Sequence, residues 1–210
     1  MSGSTIYAIA TMDSKGQELS YVASCLRRLG AQVQMVDVGT LDPPSVIPDV
    51  TRQEIQGNAD LPTDCERGPA ITAMGEALTC WLTQRVDGGA VSGVIGLGGS
   101  GGSALITQAM RSLPIGFPKL MVSTMASGNT AAYVDCSDIT MTYSVVDVAG
   151  LNTVSRRILE NAAKAIWGMS QHQAAPESSN PALGMTMFGV TTPCVTRVRG
   201  QLESYGYDCL

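Results

Sequence analysis

One junction constrains the fold of this chain more than any other. The apolar run Val91-Ser92-Gly93-Val94-Ile95 passes through Gly96-Leu97-Gly98-Gly99-Ser100-Gly101-Gly102-Ser103 into Leu105, Ile106, Ala109, Met110 and Leu113. The first segment reads as a buried strand, and the last recurs at helical spacing. A strand that turns through glycine straight into a helix leaves the first helical amides without intrahelical acceptors. Such amides can surround an anion, and glycine suits the turn by tolerating positive φ and a close approach to the backbone. The alternative reading is a glycine turn that only lets helix pack on sheet.

The same grammar recurs along the chain. Ile6–Ala10 predicts a first strand, Thr11–Gly16 a polar loop, and Glu18–Leu29 a helix with Leu19, Val22, Ala23, Leu26 and Leu29 on one face. Gly30 ends that helix as a C′ glycine does, and Val33–Val38 is the second strand. Residues 41–68 break the rhythm with four prolines and many polar residues, around a short helix near Thr51–Gln56. Pro69 opens a helix to Arg85 whose Ile71, Met74, Leu78, Trp81 and Leu82 read as core. The strand at 90–96 and the glycine junction follow. Lys119–Thr124 and Ile139–Tyr143 are further strands, and Leu151–Trp167 is an amphipathic helix starting at about Asn152. Short buried strands alternating with helices give an α/β fold with a mostly parallel sheet. Residues 171–183 read as a linker. Met185–Val190, Thr196–Tyr205 and Gly206–Leu210 then repeat the order strand, helix, strand. Residues 184–210 are therefore expected to be the first βα unit of a second domain, cut short.

Composition narrows the chemistry. The 210 residues carry 44% hydrophobic side chains, enough for one good-sized core, and a formal charge of −5. That charge, with no basic stripe, argues against nucleic acid as a partner. No apolar stretch approaches the roughly 20 residues of a membrane span, and the N-terminus lacks a signal-peptide pattern. Six cysteines without a CxxC pair read as free thiols in a reducing cytoplasm. The single histidine, His172, falls in the linker, so a Ser-His-Asp triad, a Cys-His dyad or a His-rich zinc site has no histidine to use.

The junction matches two phosphate motifs incompletely. Gly96, Gly98 and Gly101 satisfy G-x-G-x-x-G, but about 20 positions on, where a ribose-binding acid belongs, stands Leu120-Met121-Val122. A dinucleotide site is disfavoured. The P-loop frame G-x-x-x-x-G-K-[ST] also fits, except that Gly102 occupies the lysine position. Positive charge must then come from elsewhere in the fold or from Mg²⁺.

In an open parallel sheet, ligands bind beyond the carboxyl ends of the strands. Loops expected there include Thr11–Gly16, where Lys15 could supply the missing cation or be an ordinary surface lysine. Asp13 could hold Mg²⁺ or a sugar hydroxyl, or cap the next helix. Thr124, Ser127, Gly128 and Asn129 lie in a segment readable either as a second anion nest or as plain turn chemistry. Asp147, between valines, suggests Mg²⁺ or ligand contact, or a structural cap, since an unpaired carboxylate in apolar surroundings is costly.

Gly96–Ser103, Leu113–Lys119, Ser123–Gly128 and Tyr143–Asn152 resemble the ATP-binding domain family named for the tomato mosaic virus resistance protein. Thr11–Gly16, Asp64–Gly68 and Phe188–Val195 fit the same family. The resemblance implies two Rossmann-like domains, each a three-layer sandwich. ATP would bind the N-terminal one (1–170), and the protein would be a homo-oligomer. The phosphates would then lie on Gly98, Gly99, Ser100, Gly101, Gly102 and Ser103 and on Thr124, Ser127, Gly128 and Asn129. Lys15 would add charge, and Asp13 or Asp147 would organise Mg²⁺. Slow ATP hydrolysis is compatible with this reading, though no catalytic base or arginine finger is assignable. One alternative is an enzyme acting on a small phosphorylated or carboxylated metabolite with catalytic groups shared with a second domain. Another is an interaction module working through the proline-rich 41–68 segment.

Overall fold

The computed structural model describes residues 5–57, 67–171 and 180–210. Strand β1 (Thr5–Ala10) alternates its side chains between two cores, as a period of two requires. Ile6, Ala8 and Ala10 face one core, and Tyr7 and Ile9 the other. Helix α1 (Met12–Arg28) leads to β2 (Gln32–Asp37), and the short α2 (Arg52–Gln56) and long α3 (Arg67–Asp87) lead to β3 (Val91–Gly98). Next come α4 (Ser100–Arg111), β4 (Lys119–Ser123), the single turn α5 (Ala131–Val134), β5 (Thr140–Tyr143) and α6 (Thr153–Gln171).

The five strands pair in parallel, in the order β2-β1-β3-β4-β5. Helices α1 and α6 cover one face through Leu19, Val22, Leu26, Leu159, Ala163 and Ile166. Helices α3 and α4 cover the other through Met74, Leu78, Leu82, Leu105, Ile106 and Met110. This is the expected three-layer α/β sandwich. Among the described residues no helix is long and apolar enough to cross a membrane. The thiols of Cys25, Cys80, Cys136, Cys194 and Cys209 are free. Cys65 and His172 lie outside the described residues, as does most of the Asp64–Gly68 segment.

Two expectations around the first strand and the glycine junction are corrected. Thr11–Gly16 is not a loop: α1 already begins at Met12, and only Lys15 departs from helical angles (φ −130°, ψ 18°). The Thr11 carbonyl accepts from the Ser14 and Lys15 amides and so starts the helix six residues before Glu18, inside a polar stretch with no apolar stripe to announce it. The glycine junction does not use positive φ. Among the described residues, glycines with positive φ are Gly30, Gly57, Gly89, Gly116, Gly150 and Gly206, none of them in 96–102. Space is what it needs. A Cβ on Gly96 would lie 2.6 Å from Met121 Sδ, and one on Gly98 would lie 2.6 Å from the Ser103 nitrogen and 2.8 Å from the Gly102 carbonyl carbon. The bare glycines let the first turn of α4 close against β3 and β4.

The chain divides into two units, Met1–Gln173 and Ala174–Leu210. In the second, Ala182–Leu183 (β6) pairs in parallel with Asp208–Cys209 (β7), and α7 (Thr192–Ser204) connects them. The strand expected at Met185–Val190 does not form. At Phe188 the chain turns into α7, because the Phe188 carbonyl accepts from the Thr191 and Thr192 amides. The ladder moves upstream into the stretch read as linker, ending with the Met185 amide on the Leu210 carbonyl. Helix α7 buries none of its residues.

Candidate functional site

A sheet ordered 2-1-3-4-5 reverses its direction of growth between β1 and β3, and ligands of such folds bind beyond the strand ends at that point. Here the two elements leaving that point are α1 and α4. Between them is a cleft of about 310 Å³ lined by Thr11, Asp13, Ser14, Lys15, Thr40, Asp42, Ile71 and Gly99–Gly102, among others. The fold thus brings together the first turn of α1 and the glycine junction, which are far apart in sequence.

The two helix starts differ in what their amides meet. At α1, the Met12 amide donates to Asp37 Oδ1 at 3.0 Å. Asp37 is 1% exposed and also accepts from the Gly39 amide at 2.8 Å and from Arg52 Nε at 2.7 Å. That helix start already has its carboxylate. At α4, the cap residue Gly99 has extended angles (φ −81°, ψ −157°) and no side chain to accept a hydrogen bond. The amides of Ser100, Gly101 and Gly102 have no carbonyl four residues back within the helix, and these residues face the cleft. A Cβ on Gly102 would find ordinary contacts at 3.8 Å and beyond, and one on Gly99 nothing nearer than Thr124 Oγ1 at 3.8 Å. The uncapped start is therefore not dictated by packing, unlike Gly96 and Gly98.

Other expected residues are placed differently. Ser103 is fully buried, with its hydroxyl 2.6 Å from that of Ser123, so it braces α4 against β4. Gly98 is buried in β3 and its carbonyl accepts from the Thr124 amide. Thr124 borders Gly99, but Ser127 and Gly128 are exposed in a turn closed by the Gly128 amide on the Met125 carbonyl. Asn129 Oδ1 accepts from the Ala131 amide at 3.0 Å and so caps α5. Lys15 lines the cleft, yet its Nζ donates to the Val148 carbonyl at 2.6 Å. Asp13 also lines the cleft, with Oδ2 accepting from the Leu41 amide at 3.4 Å. Asp147, expected in apolar surroundings, is exposed, so water solvates it and no partner is demanded. It lines a separate cavity of about 10 Å³ and not the cleft that holds Asp13.

Sequence reasoning passed over Asp37, Arg52, Asp42 and Glu18. Asp37 carried a signal, being a carboxylate at the carboxyl end of a buried strand. Arg52 carried none, because its partner Asp37 lies across the irregular segment. Its Nη2 is buried and, among the described contacts, has no acceptor. Gly39 leaves the passage through which that nitrogen and Asp13 Oδ2 approach the same point. Glu18 is 3% exposed and accepts a hydrogen bond from the Gly150 amide. Among the described residues no three His, Cys, Asp or Glu side chains converge as a metal cage.

A doubly wound α/β domain with an uncapped helix start at its switch point is the class defined by this geometry. Residues 4–175 match the N-terminal domain of the uncharacterised protein family UPF0261, and residues 180–210 match its C-terminal domain. The chain belongs to UPF0261. It is 50% identical over 210 residues to a UPF0261 protein of Rhizobium meliloti, covering 98% of this chain and 52% of that protein. It is 37% identical over 231 residues to the ToMV resistance protein Tm-1 of Solanum lycopersicum, covering 98% of this chain and 31% of that protein. The resemblance drawn from the motifs is thereby borne out. The chain spans about half the length of the bacterial relative and less of the tomato one. Among solved structures, DJ-1beta of Drosophila melanogaster aligns with a TM-score of 0.41 and 15% identity, covering 81% of this chain and 92% of that one.

Proposed function

We propose that the switch-point cleft binds the phosphates of a nucleotide, with ATP and Mg²⁺ as the leading ligand. The observation that carries this reading is the bare start of α4. Gly99 leaves the amides of Ser100, Gly101 and Gly102 uncapped at the mouth of the cleft, while the corresponding start of α1 is closed by Asp37. A helix N-terminus with free amides favours an anion through both hydrogen bonds and the macrodipole. Asp13, with Asp42 on the same cleft, would hold the metal, which is bound through one or two carboxylates plus phosphate oxygens in such sites. Mg²⁺ would neutralise phosphate charge there. Asp147 is left out of this assignment because it lines a different cavity. The reading includes a cytoplasmic location and a homo-oligomer, testable by light scattering on the purified protein.

A second reading is favoured by size. About 310 Å³ is at the low end of ligand pockets, which run roughly 300–1,000 Å³. That suits a compact phosphorylated or carboxylated metabolite handled by an enzyme. Thermal denaturation with ATP, ADP, GTP and simple phosphorylated metabolites, with and without Mg²⁺, separates the two. Ligand at ~100 times its Kd stabilises by about 2.7 kcal/mol. A shift with ATP and Mg²⁺ supports the first reading, a shift with metabolites alone supports the second, and no shift with any of them removes both.

A further inference from the structure

Lys15 is the one cation lining the cleft among the described residues, and its ammonium is engaged outside the anion cradle. It reaches across to the Val148 carbonyl, a neutral acceptor in the turn between β5 and α6. Three residues further along α1, Glu18 takes the Gly150 amide of the same turn. The turn so held is strained. Val145, a β-branched residue, has φ 63°, and the Val146 amide closes on the Ser144 carbonyl at 2.7 Å across it. A three-residue turn with its central residue at positive φ is rare, and a valine there is a conformational outlier. Val145 is exposed, so burial of its own side chain does not hold it there.

We propose that Lys15 is a two-position latch. When no anion contests it, it holds the 145–152 turn through the Val148 carbonyl; an anion at the start of α4 draws the ammonium away and loosens that turn. This rests on the anion reading of the cleft. An ammonium bonds an anionic phosphate oxygen more strongly than a neutral carbonyl, and lysine's flexible four-carbon stem carries its charge between neighbouring acceptors. Lys15 already sits where α1 leaves helical geometry, on the cleft wall. Occupancy of the cleft is thereby coupled to the turn that follows β5, in which Val148 is buried and Val145, Asp147, Ala149 and Gly150 are exposed. The coupling is reciprocal: whatever pins the turn to Lys15 weakens the ligand.

Hydrogen exchange read by mass spectrometry on the whole chain tests this, with ATP plus Mg²⁺ and with inorganic pyrophosphate as probes. Peptides spanning 145–152 are expected to exchange roughly tenfold faster with probe bound, while the β3 and β4 amides stay protected. Lys15→Met should show the fast exchange without probe and no further change with it. Thermal shift is measured in parallel on both proteins. A probe that shifts the wild-type melting temperature but leaves 145–152 unchanged overturns the latch alone. So does a folded Lys15→Met whose turn exchanges like wild type. If neither probe shifts the melting temperature, the anion reading falls and the latch falls with it.

Discussion

Gly98 and Gly99 are neighbours with opposite tolerances. A Cβ on Gly98 meets the backbone of α4 at 2.6 Å, whereas one on Gly99 meets only Thr124 Oγ1, at an ordinary 3.8 Å. Backbone cannot move aside as a side-chain end can, so Gly98→Ala is expected to destabilise by about 1–3 kcal/mol in urea denaturation. A second residue-scale case is Lys119, fully buried, whose Nζ lies 2.6 Å from Asp138 Oδ1 and 2.7 Å from the Pro114 carbonyl. Partial burial pushes the Asp138 carboxyl up. The Lys119 hydrogen bond and charge, with the Gly116 amide, outweigh that and hold it below the usual carboxylate value. A carboxyl depressed in the folded state contributes stability above its unfolded pKa of about 3.9 and loses it as pH falls through the folded value. Asp138 is partly exposed, which screens the pair. Asp138→Asn is expected to cost about 1–2 kcal/mol at neutral pH, with the gap from wild type closing below about pH 4. A gap that persists undiminished at low pH would show that the carboxylate charge is not its source.

At the scale of elements, helix ends separate what sequence could tell from what it could not. Asn152 was readable as a start signal, and its Oδ1 accepts from the Val154 and Ser155 amides at 2.9 Å each. Asn152→Ala is expected to cost about 1 kcal/mol by thermal or urea denaturation. The four large helices were legible because each buries a periodic apolar face, as with Leu78 and Leu82 or Ile106 and Met110. Strands β1, β3 and β4 were legible because they are short, almost wholly buried runs; β5 buries none of its four residues. The start of α1 was not legible, because it is fixed by the Met12 amide reaching Asp37, a contact spanning 25 residues. Nor was the register of β6, since a two-residue strand is chosen by its partner β7 and not by its own pattern. At the site, the glycines announced a close approach of helix to sheet. Sorting them into Gly96 and Gly98, which packing requires, and Gly99, which it does not, needed the neighbouring atoms. Residues Ser127–Asn129 matched a nest by composition but are occupied with their own turn and the start of α5.

For the molecule as a whole, strand order matters most. Placing β1 beside β3 brings α1 and α4 to the same end of the sheet, so two helix starts more than 80 residues apart in the chain's numbering, Thr11–Lys15 and Gly99–Gly102, share one cleft. One helix start there is closed by Asp37, and the other is left open by Gly99. An open start in extended geometry with room for a side chain forgoes stability that an aspartate would supply through capping and the macrodipole. The most direct measurement is therefore Gly99→Asp, followed by thermal denaturation with and without ATP and Mg²⁺. The account predicts a melting temperature equal to or above wild type without nucleotide, together with loss of the nucleotide-induced shift, because the new carboxylate takes the amides and repels phosphate. A folded Gly99→Asp protein that keeps the full wild-type shift would contradict it.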